Sequence, residues 1–244
     1  MLGRAFGLVV FAMILVANAK VLKVGTQVNY EPFAYVGVNF KLMGFEPDLL
    51  EEISKKAGFE YEFVTMEYDE LIPALVNNKI DIIASSMSIT SQRMDKVNFT
   101  NPYYNSSTAY VKLKSRDDIG TKDDLAGKNI GVMEGREQEI LASKIPNAKV
   151  KPVKNGYSGI MLLESGSVDV LMLDEAVGDH YARKSVNKEV FLVEEYVSLG
   201  FAFAVSKDGD PELINSLNMA LDELMLDGTY DELLKKYNLI KGKI

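Results

Sequence analysis

Two stretches of this chain carry one pattern, and that repeat limits the folds open to it. LIPALVNNKIDIIAS (71–85) and GIMLLESGSVDVLMLD (159–174) each pass from a helical apolar stripe into a short apolar run. In each, a leucine stands six positions before an aspartate, Leu75 to Asp81 and Leu163 to Asp169. Apolar runs of this length bounded by polar residues predict buried strands. A second pair agrees, because VLKVGT (21–26) resembles GKNIGVM (127–133). Strands separated by helices give sheets with parallel neighbours, so the repeat predicts an α/β chain of two similar units, each ending a buried strand at a polar cluster.

The remaining segments fit that plan. EPDLLEEISKKAGF (46–59) predicts an amphipathic helix with Pro47 in its first turn, Leu49, Leu50, Ile53 and Ala57 on one face and Gly58 at its end. YEFVTM precedes the helix DELIPALVNN and the strand KIDIIA. NSSTAYVKLKS (105–115) and YVSLGFAFAVS (196–206) both predict strands that cross between the units and form a two-strand hinge over a cleft. The chain closes with two helices, the first opened by Asp210 and Pro211 and stopped by Gly228. The expected organisation is a leader at 1–19, a first lobe at 20–109, a second lobe at 110–200, and a return to the first lobe at 201–244.

The leader follows from Arg4, the apolar stretch Ala5–Val16 and the small-x-small site Ala17-Asn18-Ala19, which predict export and cleavage after Ala19 into the periplasm. The chain has no cysteine, so neither a lipid-bearing cysteine nor a disulfide framework is available. Composition also excludes function classes. Thirty-five acidic against 27 basic residues, with no basic block, make nucleic acid a poor partner. The single histidine, His180, in DEAVGDHYARK, predicts a solvated residue on a surface helix, and with it go the usual zinc sites and most histidine triads. No phosphate-binding glycine loop or dinucleotide fingerprint is present, and no cofactor or metal is expected. A small solute is the expected partner, and nothing calls for an oligomer.

The polar clusters suit a zwitterion. After Ile80–Ala84 the chain runs through Ser85, Ser86, Ser88, Thr90 and Ser91 to Arg93, at the carboxyl end of a strand where open α/β sheets bind ligands. Arg93 is either a surface arginine before MDK or a group that holds a carboxylate with two parallel hydrogen bonds, the serines satisfying its remaining lone pairs. Asp174 closes the strand DVLML and fits either of two roles, an acceptor for an ammonium group or a cap for the helix that follows. Tyr30 and Tyr68 each follow a strand, where their rings either pack at a rim or flank a flat guanidinium, an amide or an aliphatic stem.

Along nearly its whole length after the leader, the chain resembles the polar amino-acid binding proteins of ABC importers, which have the two-lobed type II periplasmic binding fold. The resemblance rests on VGTQVNYEPFAY, GFEPDLLEEISKKAG, YDELIPALVNNKIDIIASSMSITSQR, VNFTNPYY, LAGKNIGV, SVDVLMLD and DGTYDELLKKY, in this order and spacing. It implies a mixed sheet in each lobe, a free amino acid as ligand and a membrane permease as partner. It further implies that Arg93 binds the α-carboxylate with Ser85, Ser86 and Ser88, that Asp174 binds the α-ammonium, and that Tyr30 and Tyr68 flank the side chain.

Two departures from the family pattern bear on specificity. Gln27 stands where many relatives have an acidic reader of the ligand side chain, which weakens the case for a lysine-like ligand. In EGREQE (134–139), Arg136 and Glu137 replace the small hydroxyl residues that relatives turn toward the carboxylate. Three outcomes follow: Arg136 contacts the carboxylate, Glu137 reaches a basic side chain, or the loop has moved. Arginine is the first-choice ligand, with glutamine or another polar amino acid next. The competing class is an enzyme resembling periplasmic cyclohexadienyl dehydratases, for which Glu137 is the one candidate general acid.

Overall fold

The computed structural model describes residues 20–195 and 199–240; the predicted leader lies outside them, as do the first residues of the YVSLGFAFAVS crossover, 196–198. Two five-stranded sheets form the frame. The first part of the chain lays down β1 (Leu22–Thr26), the short ladder of β2 (Tyr35–Val36) with β3 (Leu42–Met43), α1 (Phe45–Ala57), β4 (Tyr61–Thr65), α2 (Tyr68–Val76), β5 (Ile82–Ser88), α3 (Ser91–Met94) and β6 (Val97–Phe99). The second part forms β7 (Thr108–Leu113), β8 (Asn129–Met133), α4 (Glu137–Ser143), β9 (Lys149–Val153), α5 (Gly156–Glu164), β10 (Val170–Asp174), α6 (Glu175–Arg183) and β11 (Lys188–Glu194). The chain then returns through β12 (Phe201–Ser206) and ends in α7 (Pro211–Asp227) and α8 (Thr229–Lys236).

Strand order is β4-β1-β5-β12-β6 in one sheet and β11-β7-β10-β8-β9 in the other. Both are mixed, as expected. β1 is parallel to β4 and β5, and β8 is parallel to β9 and β10, whereas β12 and β7 run antiparallel to their neighbours. The returning strand β12 thus belongs to the first sheet. The two crossing segments touch through a bridge between Tyr104 and Phe201. Beneath them Phe33 packs edge-on against Tyr104, Phe201 and Phe45, with ring centroids 5.3–6.2 Å apart.

The helices form where their sequence signals lie. Gly58 ends α1 in the left-handed conformation, and the side chain of Asp210 accepts a hydrogen bond from Glu212 N at the start of α7. Leu49, Leu50 and Ile53 of α1 and Leu217, Leu221 and Leu224 of α7 are fully buried, each contributing about 2 kcal/mol of hydrophobic stabilisation. Leu71 and Leu75 of α2 cover the opposite face of the first sheet with Ile83 and Met87.

The strand expected at 79–84 lies further along the chain. Asp81 ends the preceding turn by accepting from Lys23 N (2.8 Å), and β5 then runs through Ser88, which pairs with Phe201. Its pairing with β12 shifts register between Ala202 and Ala204, and opposite that shift Ser86 takes a positive φ of 47°. Among the described residues no helix is long and apolar enough to cross a membrane.

Candidate functional site

Five strand ends converge. Gln27 and Tyr30 follow β1, Tyr68 follows β4, and Ser85, Ser86 and Ser88 close β5; from the second sheet, Arg136 and Glu137 follow β8 and Asp174 ends β10. All five are carboxyl ends of strands in parallel pairs, the place where α/β sheets offer ligands their free backbone groups. The structure therefore gathers Gln27, Tyr30, Tyr68, Ser86, Ser88, Arg136, Glu137 and Asp174 in one cleft between the two sheets, with the Ser85 side chain directed elsewhere.

Arg93 reaches across it from α3. Its Nη1 donates to Ser88 O (2.9 Å), its Nη2 donates to Gly135 O of the facing lobe (3.0 Å), and Nη1 pairs with Glu137 Oε1 at 2.8 Å. Ser88 Oγ donates to Glu137 Oε2 (2.7 Å), so the Glu137 carboxylate is held by an arginine and a serine together. Of the three outcomes open for Arg136 and Glu137, the structure has Glu137 on a basic side chain, and that side chain is the protein's own. Ser85 is turned the other way, its Oγ accepting from Gln27 N (3.0 Å) and fixing the end of β1.

Arg136 enters the centre. Its guanidinium carbon lies 3.8 Å from the Tyr30 ring centroid and 4.0 Å from that of Tyr68, a cation between two aromatic faces. Nη1 contacts Ser86 O (3.3 Å) and Asp174 Oδ2 (3.5 Å), Nη2 contacts Gln27 Oε1 (3.5 Å), and Nε has no hydrogen-bond partner among the described residues. Arg136 is only 3 % exposed. Burial works against its charge, but Tyr30, Tyr68, Asp174 and Glu137 outweigh it and hold the guanidinium protonated. Gly135 supplies the turn into this position at φ +74°, in the left-handed region.

Of the two readings of Asp174, the helix cap is not what its side chain does. It stands at the cap position of α6 but makes no side-chain cap bond. Its carboxylate instead accepts from Tyr30 Oη and from Gln138 Nε2 (2.8 Å) inside the cleft. Burial raises its pKa, against the pull of Arg136 and Tyr30. Gln27 also ties the lobes, its Nε2 donating to Lys154 O at 2.9 Å.

Sequence reasoning missed two supporting residues. Gln138 follows Glu137 directly, and only the turn into α4 points it at Asp174. Glu46, in GFEPDLL, looks like an ordinary acidic residue in a first helical turn. Yet it is 1 % exposed and accepts from both Ser86 N and Tyr103 Oη, locking the strained residue of β5 in place. Burial raises its pKa, opposed by those hydrogen bonds and by Arg136. His180 departs from expectation: it is partly buried and bonds Glu31 of the other lobe at 2.8 Å. Sequence gave no sign of Glu31 as its partner, since the two lie 149 positions apart.

Residues 22–240 match the family model described as bacterial extracellular solute-binding proteins, family 3. A probable histidine-binding protein of Campylobacter jejuni is 42 % identical over 218 residues, covering 89 % of this chain and 85 % of that protein. The lysine/arginine/ornithine-binding periplasmic protein of Escherichia coli is 31 % identical over 241 residues, covering 95 % of this chain and 92 % of that one. An ancestral arginine-binding protein bound to arginine superposes with a TM-score of 0.84 at 36 % identity, covering 89 % of this chain and 97 % of the other. The chain belongs to family 3 of the bacterial extracellular solute-binding proteins.

Proposed function

We propose that this protein captures a polar or basic amino acid, arginine first, between its lobes outside the cytoplasmic membrane and delivers it to an ABC permease. The lobes in this reading are 20–109 with 201–244, and 110–200, and the leader is removed after Ala19. One observation carries the choice of ligand. The slot between Tyr30 and Tyr68 takes a guanidinium, and the nearby pair of Arg93 and Ser88 takes a carboxylate. These are the two charged ends of arginine, and Asp174 beside them suits its ammonium group. Tyr68 Oη and Ser86 Oγ are buried with no partner among the described residues, and a polar ligand would complete them. The similar proteins named for histidine and for lysine, arginine and ornithine, and the ancestral protein bound to arginine, support the same ligand class.

Binding requires no chemistry. A ligand that contacts both lobes binds the closed form more tightly than the open one and shifts the population toward it. The resulting shape is what a permease can recognise. Glu137, the candidate acid of the enzymatic reading, is instead engaged by Arg93 in an ion pair and by Ser88 in a hydrogen bond. We therefore read the chain as a binder.

The test is a thermal-shift screen of protein unfolded and refolded to strip carried-over solute, against the twenty amino acids, ornithine and citrulline. Ligand at about a hundred times its Kd adds about 2.7 kcal/mol, an easily measured rise in Tm. A rise with arginine and its analogues supports the reading. No rise with any amino acid sinks it.

A further inference from the structure

Arg136 and Glu137 are adjacent, and together they present to the cleft the groups that a free arginine would bring. The Arg136 guanidinium lies between Tyr30 and Tyr68, and the Glu137 carboxylate lies on Arg93 Nη1 and Ser88 Oγ at 2.8 and 2.7 Å. We propose that this dipeptide is a ligand mimic built into the second lobe, which occupies the guanidinium and carboxylate subsites and is displaced when the free amino acid binds. The inference rests on the amino-acid reading of the cleft given above.

Three features favour displacement over a fixed structural role. The first is poor satisfaction. A buried guanidinium kept for structure alone should have its five donors filled at 2.7–3.2 Å, whereas the contacts of Arg136 are 3.3–3.5 Å and its Nε has no partner among the described residues. What holds it is chiefly the two aromatic faces, and a free guanidinium can use those equally well. The second is a route out. Arg136 and Glu137 also border an open groove of about 590 Å³, lined further by Asp69, Asn77, Gln92 and Ile140. That groove is open to solvent and has Asp69 in its wall, so a cationic side chain swung into it meets water and an acidic residue. The third is redundancy at the helix start. Arg136 occupies the cap position of α4, where a guanidinium, having no acceptor, cannot cap the free N–H groups, so moving the side chain costs α4 no cap bond.

A tethered mimic changes affinity by arithmetic. Free ligand binds only the fraction of molecules whose subsites are open, so the apparent Kd is the intrinsic Kd divided by that fraction. Because the mimic bridges the lobes as a ligand does, it also favours closure before any ligand arrives. Arg136 and Glu137 would then set the concentration at which the protein responds.

Removing the mimic should tighten binding. In Arg136→Ala/Glu137→Ala, with folding checked by circular dichroism, the Kd for arginine measured by calorimetry should fall about tenfold or more, as expected if the competent fraction in the native protein is about a tenth. A second readout needs no substitution. In native protein the Arg136 Nε–H proton lies between two rings and should resonate upfield in a ¹H–¹⁵N spectrum, then move to the position of solvated arginine on saturation with ligand. Native protein that binds arginine, with a variant of equal or weaker affinity, overturns the mimic and leaves the amino-acid reading intact. So does an Nε–H signal that stays upfield at saturation. A native protein and a variant that both ignore every amino acid of the panel overturn the functional reading and the mimic with it.

Discussion

Arg93 and Glu137 meet across the cleft at 2.8 Å, one from α3 of the first lobe and one from the start of α4 of the second. Their side chains are 11 % and 16 % exposed, so the pair sits near the mouth of the cleft with little water around it. A charge-assisted contact in that setting is worth more than one at the surface.

Arg93→Ala should therefore weaken amino-acid binding by about 2–5 kcal/mol, roughly thirtyfold or more, because it removes the guanidinium of the proposed carboxylate subsite. Arg93→Lys should lie between, keeping the charge while losing the two-pronged geometry. Titration calorimetry with each variant decides. Full affinity in Arg93→Ala would remove this residue from the site.

In the proposed site, Asp174 is the acceptor for the ammonium group. Burial raises its pKa above the ordinary 3.8, so it takes up a proton at a higher pH than an exposed aspartate does. A bound ammonium needs the ionised form. Affinity should accordingly decline as pH falls toward and through that raised value, and remain level well above it. Asp174→Asn keeps the shape around Tyr30 and Gln138 but should bind weakly at every pH and lose the acid-dependent decline. A decline of equal size in Asp174→Asn would assign the titration to another group.

What the amino-acid order makes legible here is what is local. Gly58 after α1 and Asp210–Pro211 before α7 are visible because caps and turns involve neighbours in sequence. The carboxyl ends of β5 and β10 are visible because both units repeat one pattern. The contents of the cleft are another matter. Arg136 in EGREQE has the local signature of a residue before a helix, and nothing nearby in the chain says that its side chain turns between Tyr30 and Tyr68, 106 and 68 positions away. Glu46 is hidden for the same reason, since its partners Ser86 and Tyr103 are 40 and 57 positions distant.

Glu46 should prove a stability residue. Replacing it by alanine leaves Ser86 N–H and the Tyr103 hydroxyl without an acceptor in a dry interior, at about 1–3 kcal/mol each, so Glu46→Ala should lose about 2–6 kcal/mol by urea denaturation. Glu46→Gln retains an acceptor and should lose less. The pH dependence has a definite sign. Burial raises the folded pKa of this carboxyl above 4.5, so the folded chain holds a proton that the unfolded chain has released. Its contribution is full below 4.5 and fades as pH rises through the folded value. The glutamine variant should lack that fading, and an unchanged slope would exclude Glu46 as its source.

Glu31 and His180 tie the lobes on the other side of Tyr30, 2.8 Å apart, with Lys184 Nζ 3.2 Å from the same carboxylate. Burial lowers the His180 pKa below 6.5; the hydrogen bond to Glu31 opposes this, and the charges of Lys184 and Arg183 add to it. For Glu31, burial acts to raise the pKa, but the hydrogen bonds from His180 and Lys184 prevail and it ends below 4.5. Both groups thus bind fewer protons in the folded chain than in the unfolded one. Stability should be full above about pH 6.5, fall as His180 is forced to take a proton below that, and fall again below 4.5 as Glu31 follows. His180→Gln preserves a donor to Glu31 but does not titrate, so its melting temperature should change less than that of the native protein between pH 7.5 and pH 5.5. Parallel melting curves for the two proteins across that range would show that the upper step arises elsewhere.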